Sequence, residues 1–166
     1  MESVVKWIVR IIGVYGLIVA QTFVASKIRV LGVGPDFILL GVVIWSYGRT
    51  RVQSVAAGFF MGLFQDLAGM GLIGLNALAK AVTCYLLGAW ISDRPVEGLG
   101  LRSVTLFTAA VIHSLIVSLF FTRDANMGYP VYLFRYGFPQ AVYTTLTGVL
   151  FFLLALTWEM RMRDRS

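Results

Sequence analysis

The chain has 166 residues, 58% of them hydrophobic and 13% charged, where an ordinary soluble domain carries roughly 25% charged. Its mean hydropathy is +0.82, which excludes a soluble globule, and six helices of about 20 residues would take up roughly 120 residues and leave room for loops and tails only. The net charge of +6 would suit nucleic acid in a soluble protein, but here the Lys and Arg residues flank apolar segments, the pattern that sets orientation in a membrane.

In chain order the apolar stretches cover 7–26, 33–47, 52–67, 71–91, 103–121 and 137–158. The first has the basic start of a signal peptide at Lys6 and Arg10. No small-residue cleavage site followed by a polar mature domain comes after it, so it is read as a retained first helix. The second and third fall short of the ~20 residues that a perpendicular crossing needs. They are expected to tilt, to borrow length from their flanks or to be partly re-entrant, and four or five crossings are the alternative to six. A single polytopic membrane domain over 1–166 is the expected organisation. The longest loop, 122–136, is too short to fold by itself.

Six crossings divide the basic residues unevenly. Lys6, Arg10, Arg49, Arg51, Arg94, Arg102, Arg161, Arg163 and Arg165 share one side, and Lys27, Arg29, Arg123 and Arg135 the other. That bias places both termini in the cytoplasm. Trp7, Trp45, Trp90 and Trp158 all fall at cytoplasmic ends of spans in this scheme, at the depth where an indole sits well. The basic tail 159–165 reads as an anchor on anionic lipid.

Ionisable side chains inside a bilayer are costly and draw attention first. Asp66 ends the third stretch, and Lys80 lies about 13 Å along the fourth, so an Asp66–Lys80 ion pair in the outer half is expected, either structural or as part of a proton or ligand site. His113 sits in the middle of the fifth stretch, where no carboxylate at similar depth is evident, and reads as a neutral histidine bonded across helices. Asp36, at the edge of the membrane after Gly34 and Pro35, reads as a helix initiator. Cys84 has no intramolecular partner and behaves as a small hydrophobe.

The inventory of one His and one Cys, with no metal-ligand spacing, nucleophile elbow or phosphate loop, points away from an enzyme and from any cofactor or metal. Small residues four apart are frequent instead: Gly58 with Gly62, Gly16 with Ala20, Cys84 with Gly88, and Thr144 with Gly148. Such faces let helix backbones approach closely.

The run from Gly58 through Gly62 and Asp66 to Gly74 and Leu78 resembles the signature of the rod shape-determining MreD family: a glycine-spaced helix ending in Asp, a small-residue turn, then Gly and an apolar helix. Pro35-Asp36-Phe37 and the whole-chain hydropathy profile agree with it. The resemblance implies a multi-pass protein of the bacterial inner membrane. It also implies a six-helix bundle like the S components of energy-coupling-factor vitamin transporters, no catalysis, and binding to the bitopic protein MreC. Through the complex it implies MreB, RodZ, RodA and a class B penicillin-binding protein as further partners in peptidoglycan synthesis. Gly58, Gly62, Asp66 and Gly74 take the family's motif positions, whereas Lys80 and His113 have no assigned place in it.

Three functions follow for comparison. A scaffold would offer the Gly58–Gly62 groove to the transmembrane helix of MreC. A transporter's solute-binding subunit would hold its ligand between Asp36, Asp66 and Lys80. A lipid-handling protein would meet a pyrophosphate with its four outer basic residues, too few across two loops for a good anion site.

Overall fold

The computed structural model describes residues 12–30, 32–69, 72–91, 96–121 and 128–163, and among these it is all-helical. Helix α1 covers Ile12–Lys27 and widens to a π-helical turn at Ala20–Val24. Helices α2 at Phe37–Ser46, α3 at Arg51–Ala68, α4 at Leu75–Ile91 and α5 at Leu99–Phe121 follow. Helix α6 starts at Tyr129–Tyr132, passes a second π turn at Leu133–Gly137 and continues as Phe138–Arg163. Lys6, Trp7, Arg10, Arg94, Arg123 and Arg165 of the orientation argument lie outside the described residues.

Local chemistry sets the boundaries. Asp36 caps α2 by accepting from Leu39 N at 2.8 Å, meeting one of the donors that a helix start leaves unpaired. Thr50 and Gln53 form a reciprocal capping box that starts α3. Val30 and Val33 exchange two backbone hydrogen bonds and close the tight turn between α1 and α2.

Two spans, Leu99–Phe120 and Tyr129–Trp158, are long and apolar enough to cross a membrane by length and composition. Three shorter apolar helices accompany them: Ile12–Lys27, Phe37–Ser46 and Leu75–Ile91. The stretch expected over 33–47 forms only ten helical residues, Phe37–Ser46, about 15 Å of helix. The stretch expected over 137–158 extends at both ends.

The shortness of α2 is explained by its place. It touches all five other helices, and Ile38, Leu39, Leu40, Val42 and Val43 are all buried, so it is apolar all round, as a central helix must be. Leu39, Leu40 and Val43 pack with Leu87 of α4, Leu106, Ala109 and Ala110 of α5, and Ala141 and Phe152 of α6. Ile38 and Val42 face the opposite way, toward Met61 of α3, Cys84 of α4, and Leu17 and Ile18 of α1. Around this axis the pairs α3–α4 and α5–α6 pack most extensively. Phe59, Phe60, Phe64, Leu119, Leu146, Leu150 and Leu154 are exposed on the outside, an apolar coat far beyond the surface of a soluble protein.

Candidate functional site: a buried polar node at the start of the central helix

Because α2 begins well inside the bundle, its N-terminal groups need partners from neighbouring helices. Gln21 of α1 supplies two: its Oε1 accepts from Phe37 N at 2.7 Å, and its Nε2 donates to the Pro35 carbonyl at 3.4 Å. Thr144 of α6 supplies a third, its Oγ1 accepting from Asp36 N at 3.0 Å. The Lys80 ammonium on α4 donates to Asp36 Oδ2 at 2.6 Å and stands 3.2 Å from His113 Nε2 on α5. An ammonium can only donate, so Nε2 receives this bond and the ring proton belongs on Nδ1. Asp36, Lys80, His113 and Thr144 are all buried, Lys80 completely. Four helices thereby converge on the first turn of α2, where an acidic side chain also suits the helix dipole.

This geometry corrects three expectations. Lys80 pairs with Asp36 and not with Asp66. Asp36 is not at an edge, since it is 2% exposed and both initiates its helix and neutralises a lysine. His113 has a carboxylate near its own depth after all, with Asp36 Oδ2 at 3.9 Å. The signal that pointed there was the short second stretch, since a helix too short to cross starts below the surface and carries its cap inward with it.

Asp66 has a different task. Its Oδ2 accepts from Gly74 N at 3.0 Å and Ala77 N at 3.1 Å, and its Oδ1 accepts from Asn76 N at 3.2 Å and Asn76 Nδ2 at 2.8 Å. The carboxylate at the end of α3 thus caps the start of α4 from across the hairpin, taking donors that this helix end would otherwise leave unpaired. Gly74 has φ +93°, a left-handed conformation that a side chain disfavours, and this brings its N–H toward Asp66.

Gly58 and Gly62 complete the same hairpin. A Cβ on Gly58 would lie 2.8 Å from the Lys80 carbonyl oxygen and 2.9 Å from Cys84 Sγ, and one on Gly62 would lie 2.6 Å from Ala77 Cα. At a four-residue spacing Gly58, Gly62 and Asp66 share one face of α3, and that face is filled by the chain's own α4. The expected groove for a partner helix is therefore absent at Gly58 and Gly62. Gly88 and Gly148 are likewise packed, against Arg51 and against Leu106 with Leu40. Among the described residues, Gly13 and Gly16 of α1 have nothing within 4 Å of a Cβ position.

The ligand pocket expected between Asp36, Asp66 and Lys80 does not form, since all three side chains are buried in contacts of their own. Open space lies nearby instead. A cleft of about 580 Å³ runs between α1, the turn after it, α3, α4 and α6, and Gln21, Arg29, Gln65, Asn76, Tyr136 and Gln140 contribute polar side chains to its wall. Among the described residues no group of three or more His, Cys, Asp or Glu side chains stands together as a metal site would require.

The family model described as rod shape-determining protein MreD covers residues 1–158. No curated protein and no solved structure matches the chain.

Proposed function

We propose, from the premise that this chain belongs to the rod shape-determining MreD family, that it is a non-catalytic scaffold of the bacterial elongation complex, binding MreC and supporting peptidoglycan synthesis. The family assignment makes it a membrane protein of rod shape determination, and the match over nearly the whole chain is the observation that carries the reading.

In this reading all six helices cross the inner membrane. The basic bias puts the termini in the cytoplasm and the Asp36 end of the bundle outside. Helix α2 completes its crossing through the non-helical segment 33–36. Backbone groups of this segment and of Phe37 bond to Gln21 and Thr144, the condition under which irregular backbone lies at membrane depth. Trp45, Trp90 and Trp158 are exposed near the C-terminal ends of α2, α4 and α6, and Arg49 stacks 4.8 Å from the Trp45 ring, an arrangement suited to a headgroup layer.

Buried charges act here as internal fasteners that hold a defined outer surface. The partner helix then docks by close van der Waals fit, and among the small-residue faces discussed above, that of α1 at Gly16 is, among the described residues, the one whose glycine has no internal occupant. The test is purification of the tagged chain from native membranes in mild detergent, with mass spectrometry of what accompanies it. Recovery of MreC, reduced by Gly16→Leu and retained by a neutral change elsewhere on α1, supports the scaffold and its docking face. Recovery of paired ATPases with a bound small solute instead would replace it with the transporter reading.

A further inference from the structure

The cleft described above lies at the end of the bundle where the turn after α1 and the starts of α4 and α6 come together. Its volume of about 580 Å³ falls within the ≈ 300–1,000 Å³ of small-molecule sites. Most such sites are apolar, whereas this wall is rich in carboxamides and phenols and, among the described residues, contains no carboxylate side chain.

Two features define the ligand's chemistry. Among the described residues Arg29 is the one charged side chain in the wall, and the Arg135 guanidinium lies 5.8 Å from the ring of Tyr136, another wall residue. The Asp66 carboxylate behind the wall is taken up by four N–H donors, so the cationic side chains favour a ligand with a single negative charge. The second feature is Gln65, also in the wall, whose Oε1 is buried and has no hydrogen-bond donor among the described residues. Such an unmet acceptor costs free energy, and an ionised phosphodiester alone brings no proton to satisfy it in the way a hydroxyl does. A ligand that answers both features carries one anionic group and hydroxyl donors.

We infer that the cleft binds a phosphoglycerol-type head group: one negative charge received by Arg29, with hydroxyls meeting the carboxamide of Gln140 and, once its side chain turns into the cleft, that of Gln65. The site goes beyond the scaffold reading and does not depend on it. Gln21 links it to the node, since it both lines the cleft and holds Pro35 and Phe37.

The test reconstitutes the full chain in phosphatidylcholine nanodiscs that contain a minority of phosphatidylglycerol, and reads the retained lipid by native mass spectrometry. Wild type is expected to keep phosphatidylglycerol. Arg29→Gln should lower its occupancy about tenfold, the effect of losing one charge-assisted contact, while Lys27→Gln, at the same end but outside the wall, leaves occupancy unchanged. Gln65→Leu should remove the preference for phosphatidylglycerol over phosphatidic acid, which lacks the hydroxyls. Displacement by free glycerol phosphate would assign the site to a soluble form of the head group, and resistance to it would assign the site to the lipid. Equal loss in Arg29→Gln and Lys27→Gln, equal retention of phosphatidylcholine, or no retained lipid would each overturn the proposal. An unchanged thermal transition of the variants separates these results from misfolding.

Discussion

Lys80 Nζ donates to Asp36 Oδ2 across 2.6 Å although 44 residues separate the two in sequence, and this contact fixes where the central helix begins. An unpaired lysine at that depth would be expensive. Asp36 neutralises it while capping α2, so one carboxylate ties α4 to the helix around which the other five pack.

Removing one member of a buried pair leaves the other uncompensated, at a cost of about 3–5 kcal/mol. Lys80→Met is therefore expected to lower the detergent unfolding transition severely, and Asp36→Asn combined with Lys80→Met should recover a large part of the loss. Thermal unfolding of the single and double variants checks this, and an additive double variant would contradict the pairing.

Thr144→Val keeps the side chain's shape and removes the acceptor for Asp36 N. The buried N–H left behind should cost about 1–3 kcal/mol, less than loss of Lys80. Thr145, whose hydroxyl bonds within its own helix to Ala141 O, provides the control, and Thr145→Val should change the transition little.

The α3–α4 hairpin predicts a gradient along its glycine face. Gly62→Ala pushes a methyl into the Asn76–Ala77 backbone, where overpacking costs about 1–3 kcal/mol or more. Gly16→Ala meets nothing within 4 Å and should leave stability unchanged. Equal melting of the two variants would show that α3 does not lie on α4 as described.

Asp66→Ala should loosen the same hairpin by exposing the backbone donors of Gly74, Asn76 and Ala77. The buried Ala77 N–H left without a partner costs about 1–3 kcal/mol, and the half-buried ones of Gly74 and Asn76 cost less. Faster amide exchange confined to residues 74–77 is the expected signature, and Asp66→Asn, which keeps two acceptor positions on its one oxygen, should show a smaller effect.

Helix identity was readable from hydropathy because apolar runs of this length admit few other forms, and Asp36 announced its cap through the preceding Pro35. Gly58, Gly62, Asp66 and Gly74 were readable as one motif, but their partner was not. Spacing shows that three of them share a helix face and says nothing of whether another chain or the next helix covers it. Proximity along the chain points Lys80 to Asp66, whereas its partner in the structure depends on the depth at which α2 starts. That depth follows from a ten-residue helix enclosed by five others, a property of packing that no local window contains. The cleft is not legible in the sequence because its wall draws polar residues from five separate segments.

In the proposed function the buried charges of the node are structural, and the protein shapes cells without chemistry at that site. The direct measurement is cell shape after depletion of the chromosomal copy in a rod-shaped bacterium, with wild type, Lys80→Met, and Asp36→Asn combined with Lys80→Met supplied in turn and their membrane levels matched. Rods are predicted with wild type, rounded cells with the single variant, and rods again with the charge-neutral pair. Rounded cells from a double variant that is folded and abundant would contradict the claim and assign the charges a direct role in function.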